Sequence, residues 1–247
     1  MSKWPPRTDE EHIELAKDIQ SQTTKTSKEA KESEYGVRYS TLFELPYWKP
    51  VTMHCIDGLH NLYLGSSKGT FEVMIDTGVL DYQKLKEIDS RMTRLKLPTD
   101  LGRIPHSMSS GYKRMKGDEW KTWLLVYSLY CLKGIIPNTY YNMWTTFVLA
   151  CKLITKRQIQ VNDLERAHDL FVLYANKYVE LFGKEKCTFN IHLHLHIKEC
   201  ILNFGPIYAY WCFSFERFNG ILGSYHTNNH DISVQVSNKC STIFHVT

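Results

Sequence analysis

The sequence predicts an α+β protein that is mostly helical, and three observations lead to this fold class. Residues 51–57 have the composition of a buried strand. Helix-type patterns follow one another from residue 81 to residue 204, and no strand pattern interrupts them. A last, aromatic helix follows Gly205. The expected segments are a polar helical linker at 1–38, a partial core at 39–80, a helical insertion at 81–204, and a core helix with a short tail at 205–247.

The composition indicates an intracellular protein with enough apolar residues to form a hydrophobic core. The chain has 247 residues, of which 43% are hydrophobic. Its seven cysteines are spread out, odd in number and never form a C-x-x-C pair, which favours a reduced protein over a disulfide scaffold. We expect no membrane span, because no apolar run reaches about 18 residues, and no secretion signal. The net charge of +4 permits nucleic acid binding without predicting it.

The first predicted elements are a polar segment and a strand that ends on an acidic residue, Asp57. Residues 9–34 are almost wholly polar and predict a solvated helix or linker. Residues 51–57, VTMHCID, are rich in β-branched and apolar residues and predict a buried strand that ends on Asp57. The carboxyl ends of core strands are where α/β sheets place active residues. The alternative is that Asp57 caps a helix that begins near Leu59.

Four helices are expected between residues 81 and 183, because apolar residues recur there three and four positions apart. Asp118 begins the second of these helices, and Pro137 is suited to the first turn of the third. The fourth begins at Asn162 with a pattern like a capping box and ends at Gly183. These features predict a helical bundle.

Residues 91–117 are strongly basic, with Asp100 as their single acid. The basic residues are Arg91, Arg94, Lys96, Arg103, Lys113, Arg114 and Lys116. The part from residue 99 to residue 117 is also loop-like, and basic residues on a loop are suited to contacts with DNA phosphates. The alternative is an ordinary solvated loop.

The segment HLHLH places His192, His194 and His196 at alternate positions. On a strand the three side chains share one face and form an inviting metal site. The apolar residues that follow continue at helical spacing, however, and Gly205 with Pro206 is a strong helix stop. A helix is therefore expected, on which His192 and His196 share a face as a two-histidine metal half-site. Packing or hydrogen bonding is the alternative role for these histidines.

Glu216 lies in an aromatic run between Trp211 and Phe218. A carboxylate is costly to desolvate there unless it is paired, so either Arg217 or another neighbour neutralises Glu216 for structural reasons, or Glu216 serves chemistry. Asp57 and Glu216 are far apart in the sequence, one on a predicted strand and one on a predicted helix, with a helical block between them. That layout resembles the latter part of an RNase H-like polynucleotidyl transferase with a helical insertion, which is the fold that the resemblance described next implies.

The sequence resembles the transposases of CACTA (En/Spm-type) DNA transposons from about residue 7 to about residue 236. The segments that carry the resemblance are RTDEEH, LPYWKPVTMHCIDGLHNLYLG, RIPHSMSSGYKRMKGDEWKTW, NIHLHLHIKEC and FSFERFNGILGSYHTNN. The resemblance implies a cut-and-paste transposase in which a DDE triad binds two Mg²⁺ or Mn²⁺ ions. In intact relatives the metal ions activate water against a phosphodiester and then direct the freed 3′-hydroxyl at target DNA.

The resemblance assigns roles to individual residues. Asp57 matches the second Asp of the triad, in a D-x-x-H pattern completed by His60, and Glu216 matches the terminal Glu. His192 and His196 correspond to histidines that bind a structural Zn²⁺ in the related recombination-activating recombinase of the immune system. That recombinase also supplies a cysteine pair soon after its second Asp, and residues 61–130 here contain no cysteine.

The first Asp of the triad lies upstream of the RTDEEH segment in the family, and none of the six residues before Arg7 is acidic. The expectation is therefore a truncated transposase core that is inactive in DNA cleavage on its own. The alternatives are a domesticated remnant that binds DNA or protein, and a non-functional product. The expected partners are DNA and a second copy or an intact transposase, and the resemblance implies a nuclear location.

Overall fold

The computed structural model describes residues 7–96, 105, 107–225, 231, 233–235 and 237. Every regular element in this part of the chain is a helix, so the prediction of a mostly helical protein is confirmed. The chain divides into two compact units, one that ends at Ile56 and one that begins at Asp57.

The first unit contains two short helices, α1 (Asp9–Ser21) and α2 (Lys25–Tyr35), and a 3₁₀ turn (Thr41–Glu44). Thr8 and Glu11 form a capping box at the start of α1, and Thr24 caps α2 through its side-chain oxygen. The unit has a small core of its own, formed by Ala16, Ile19, Val37 and Phe43. The polar 9–34 segment is therefore a helical pair, of which α1 buries apolar residues.

The strand predicted for residues 51–57 is wrong. Val51 to Cys55 are exposed, and the segment begins with a turn in which the N–H of Met53 donates to the carbonyl of Lys49 (2.8 Å). The N–H of Val51 donates to a carboxylate oxygen of Asp9 (2.7 Å) rather than to a neighbouring strand. A strand is stable only when another strand satisfies its backbone groups, and the described residues contain no other strand.

The second unit begins with an unusual helix. Leu59–Ser67 has π-helical hydrogen bonding and continues without a break as α3 (Lys68–Asp76). The elements that follow are α4 (Tyr82–Arg94), a 3₁₀ turn (Tyr112–Arg114), α5 (Gly117–Thr122), a second π-helical segment (Trp123–Tyr127) and α6 (Ser128–Leu132). The helix expected from Asp118 onward therefore includes a π-helical segment, which the spacing of its apolar residues did not predict.

The two longest helices, α7 (Asn138–Ile154) and α8 (Val161–Phe182), pack against each other. Pro137 precedes the first turn of α7, and Gly183 ends α8 with a positive φ of 87°. Both boundaries were predicted from these residues. The capping box expected at Asn162 is wrong, because α8 begins after Gln160 and has no side-chain cap.

The histidine segment is helical, as predicted from its apolar spacing. It contains α9 (Phe189–Leu193), a 3₁₀ turn (His194–His196) and α10 (Ile197–Phe204), which ends at Gly205. A further 3₁₀ turn (Ile207–Ala209) leads to α11 (Phe213–Gly223). The region therefore runs as short helices joined by tight turns.

An aromatic core joins α7, α8 and the histidine segment. Phe147 of α7 stacks on Tyr174 of α8 (ring centroids 4.6 Å) and on the fully buried His194 (5.4 Å). His194 Nε2 lies 2.9 Å from Ser66 Oγ, and Thr70 Oγ1 lies 2.6 Å from the Tyr174 hydroxyl. These contacts fix the first helix of the unit against the bundle.

Two glycines allow this first helix to make close contacts. A Cβ at Gly65 would lie 2.4 Å from Asn190 Nδ2, and a Cβ at Gly117 would lie 1.9 Å from Leu59 Cδ1. Both distances are too short for a side chain to fit without movement. The absence of side chains therefore lets α9 and α5 approach the helix that carries His60.

Candidate functional site

Asp57 lies at the start of the π-helical segment, and each of its two carboxylate oxygens accepts two hydrogen bonds. Oδ1 accepts from the N–H of Leu59 (3.1 Å) and of Cys212 (2.7 Å). Oδ2 accepts from the N–H of His60 (3.0 Å) and from its ring Nδ1 (2.5 Å). Asp57 therefore caps a helix, as the alternative interpretation expected, and also holds the residue before α11.

These hydrogen bonds set the ionisation of Asp57. Burial by itself raises the pKa of a carboxyl group, because it disfavours the charged form. The hydrogen bonds from His60, Cys212 and Leu59 outweigh burial here and hold the pKa of Asp57 below its ordinary value. Asp57 is therefore a carboxylate at neutral pH.

The imidazole of His60 lies between the two acids that the sequence singles out. Its Nδ1 faces Asp57, and its Nε2 lies 3.6 Å from Glu216 Oε1. The side chains of His60 and Glu216 are about half exposed (54% and 53%), whereas that of Asp57 is only 16% exposed. The structure thus brings Asp57, His60 and Glu216 together at the surface of the second unit.

The surroundings of Glu216 differ from the expectation. Phe215 and Phe218 are 64% and 56% exposed, and no residue of α11 is buried. The aromatic run therefore does not desolvate Glu216. The neighbour that approaches its carboxylate is the His60 ring, whose Nε2 lies 3.6 Å from Oε1.

The arrangement around Asp57 does not fit a Mg²⁺ ion shared by Asp57 and Glu216. Mg²⁺ demands oxygen ligands in near-octahedral geometry. All four lone-pair positions of the Asp57 carboxylate already have partners, and the His60 ring lies between the two acids. Cys212 adds a different kind of ligand, because single ligand atoms of Asp57, His60 and Cys212 all lie within 4.8 Å of one another.

Lys121 is a neighbour of this site that sequence reasoning missed. Its Nζ lies 4.5 Å from the ring centroid of Trp211 and 5.2 Å from that of Phe213, the residues on either side of Cys212. Burial lowers the pKa of Lys121, and the negative charge of Asp118 only partly opposes this effect. Cation–π contacts of this kind join residues that are distant in sequence, so no local pattern predicts them.

His192 and His196 are brought together as predicted, with ring centroids 5.1 Å apart, and both are exposed. No third ligand-bearing side chain joins them within the described residues. His194, by contrast, is fully buried in the aromatic core, where burial lowers its pKa to about 3. The described residues therefore bring His192 and His196 together and supply no third ligand beside them for the zinc ion that the resemblance implies.

The basic residues divide into two groups. Arg91 has structural partners, because it contacts Glu87 (3.0 Å) and donates to the carbonyl of Lys133 (2.6 Å) at the end of α6. Arg94 lies 3.3 Å from Ser90 Oγ on the same helix, and Arg103 lies outside the described residues. Lys113, Arg114 and Lys116 are exposed and make no ion pair with any described residue; we call these three the basic turn.

A comparison of the chain with protein-family models, with curated proteins and with solved structures finds no match in any of the three. None of the helices in the described part of the chain combines the length and the apolar content that a membrane crossing needs.

Proposed function

We propose that this chain is part of a cut-and-paste DNA transposase of the CACTA (En/Spm-type) kind, and that Asp57 and Glu216 are two of its catalytic carboxylates. One observation carries the proposal: the two acids approach the two ring nitrogens of a single histidine, His60. The D-x-x-H and SFERFNG motifs of the resemblance contain the same three residues. The proposal makes DNA the substrate, Mg²⁺ or Mn²⁺ the cofactor of the complete site, and the nucleus the location.

The chain as it is arranged here is proposed to hold DNA without cutting it. Asp57 and Glu216 both carry negative charge, which repels a phosphodiester unless cations offset it. All four lone-pair positions of the Asp57 carboxylate accept hydrogen bonds, so a Mg²⁺ ion has to displace at least one of these donors. The resemblance assigns the first carboxylate of the triad to a segment upstream of Arg7.

We expect the 247-residue chain to leave supercoiled plasmid DNA uncut in the presence of Mg²⁺ or Mn²⁺, because its Asp57 oxygens are engaged. The measurement is the conversion of supercoiled DNA to nicked and linear forms, separated on agarose gels. The matched variants are Glu216→Gln and Glu180→Gln, the second an exposed glutamate on α8. Cleavage that disappears in Glu216→Gln but persists in Glu180→Gln would show that the chain is a complete nuclease, contrary to this expectation.

The basic turn is the surface that we propose for DNA contact. Its three side chains are exposed, and no described residue neutralises them through an ion pair. It leads directly into α5, whose first residue, Gly117, packs on Leu59 beside His60. Phosphates bound at Lys113, Arg114 and Lys116 are therefore held on the side of the unit that carries the two acids.

Replacing Lys113, Arg114 and Lys116 together by glutamine is expected to weaken duplex DNA binding and reduce its salt dependence. Each lost phosphate contact removes about 0.9 from the slope of log K against log salt, so three contacts remove about 2 to 3. Fluorescence anisotropy of a labelled duplex, measured at several salt concentrations, gives both slopes.

The control replaces Lys152, Arg157 and Lys184, which are also exposed, by glutamine and so changes the net charge equally. We expect its slope to equal that of the unaltered chain. Equal slopes in the two triple variants would exclude the basic turn as the contact surface. Salt-independent binding, or no binding, by the unaltered chain would contradict DNA as its partner.

A further inference from the structure

We propose that Asp57, His60 and Cys212 form a binding site for a divalent transition metal of the zinc type, with Glu216 as the carboxylate that orients His60. The site is composed of one oxygen, one nitrogen and one sulfur ligand. This proposal concerns the metal affinity of these side chains and not DNA binding. Its test is therefore independent of the proposed function.

The distances between the ligand atoms are compatible with a metal after small side-chain movements. In a tetrahedral Zn²⁺ site, oxygen and nitrogen ligands are about 3.3 Å apart and a sulfur ligand is about 3.6 Å from either. Here Asp57 Oδ2 and His60 Nδ1 are 2.5 Å apart, and one ligand atom from each of Asp57, His60 and Cys212 lies within 4.8 Å of the other two. For bond lengths of this kind, the Asp57–His60 pair must separate by about 0.8 Å, and the Cys212 thiol must approach by about 1.2 Å at most. The exposure of His60 gives an ion access from solvent.

A metal ion at this site takes the place of a proton. The proton shared by Asp57 Oδ2 and His60 Nδ1 occupies the line between an anionic oxygen and a ring nitrogen, both of which are zinc ligands. When a metal binds Nδ1, the ring keeps its one proton on Nε2. That nitrogen faces Glu216 Oε1 at 3.6 Å. A carboxylate behind the second nitrogen of a ligating histidine is the usual outer partner in zinc sites.

The ligand types select zinc-like ions over Mg²⁺. Thiolate and imidazole bind Zn²⁺ and Co²⁺ well, whereas Mg²⁺ prefers carboxylate oxygen and water. Asp57 keeps its three backbone hydrogen bonds and gives up only the one from the His60 ring.

The charges and protons balance. Cys212 loses its thiol proton to solvent on binding, and neutral His60 keeps its single proton, so one proton is released per ion. The Asp57 carboxylate and the Cys212 thiolate together neutralise the two positive charges of the ion. Because protons compete with the metal for the thiolate, affinity rises with pH.

Titration of the full-length chain with Co²⁺ tests the site. We expect a thiolate-to-cobalt charge-transfer band in the near ultraviolet that saturates at one equivalent and that Zn²⁺, but not Mg²⁺, abolishes. Cys212→Ser is expected to remove the band, and Cys55→Ser, which alters an exposed cysteine of the first unit, to leave it unchanged. Glu216→Gln is expected to keep the band with an affinity about 10- to 100-fold lower.

A second measurement uses the unaltered protein, so it does not depend on how any variant folds. Zn²⁺ is expected to slow the alkylation of Cys212 by iodoacetamide, followed by peptide mass spectrometry, while the alkylation of Cys55 proceeds at the same rate. The proposal is overturned by a missing cobalt band, by a band that survives in Cys212→Ser, or by alkylation of Cys212 that Zn²⁺ does not slow.

Discussion

Phe147→Ala is expected to lower the free energy of unfolding by about 3 to 5 kcal/mol, because it leaves a cavity in the centre of the second unit. Phe147 is fully buried, and its ring contacts those of Tyr174 (4.6 Å), His194 (5.4 Å) and Trp144 (6.2 Å). These neighbours belong to α7, α8 and the histidine turn, so the lost ring removes packing from three elements at once. Urea denaturation followed by circular dichroism measures the change.

Leu149→Ala on the same helix is the matched control. Leu149 is 39% exposed, so the control keeps the helix and removes little buried surface. We expect a loss of about 1 kcal/mol or less, as for exposed positions in general. If the two variants were equally stable, Phe147 would not be the centre of the core.

The second large effect is a loss of folding stability at acidic pH, and it arises from His194. Complete burial lowers the pKa of His194 to about 3, so His194 is neutral in the folded protein at any pH above that value. In the unfolded chain it takes up a proton near its ordinary pKa of about 6.5. Unfolding therefore binds a proton below pH 6.5. The stability from neutral His194 is complete above that pH and decreases as the pH falls towards 3.

Between these two pKa values the free energy of unfolding falls by about 1.4 kcal/mol for each pH unit. The expected loss of stability between pH 6.5 and pH 5 is therefore about 2 kcal/mol. His194→Gln keeps a polar group near Ser66 but does not titrate. We expect this variant to be less stable at pH 7 and to approach the unaltered protein as the pH falls. Free energies of unfolding measured at several pH values between 7 and 5 provide the comparison.

The exposed His192 provides the control for this effect. His192→Gln is expected to leave most of the pH dependence in place, because the pKa of His192 is lowered too, by burial and by His196, but its side chain stays exposed. A pH dependence that persists undiminished in His194→Gln would mean that other groups cause it. The groups packed on His194 are Ser66, Phe147, Phe171 and Tyr174, none of which titrates between pH 5 and pH 7.

The helices could be predicted from the sequence because their signals are local. Apolar residues three and four positions apart, a proline before α7 and a glycine after α8 all act within one or two turns. The strand at 51–57 could not be judged in this way, since its stability depends on a partner elsewhere in the chain. The alternating pattern HLHLH is compatible with a strand or a helix, and only the helical spacing of the apolar residues that follow it favours the helix.

The candidate site shows the same division. The pairing of Asp57 with His60 spans three residues and follows from the D-x-x-H motif. The contact between Asp57 and the N–H of Cys212 spans 155 residues, and neither Cys212 nor Lys121 belongs to a motif that points to this site. Such neighbours are set by how the helices pack, and a single sequence does not contain that information in any short pattern.

Asp57 also acts as a non-covalent crosslink between distant parts of the chain. One of its oxygens holds the first turn of the π-helical segment and, through the N–H of Cys212, the start of α11. No residue of α11 is buried, so the position of Glu216 depends on this hydrogen bond together with the contacts that the Phe213 ring makes with Tyr63 and Lys121. The position of Glu216 therefore depends on Asp57. A substitution at Asp57 also displaces Glu216, so the effects of changing each acid separately do not add up to the effect of changing both.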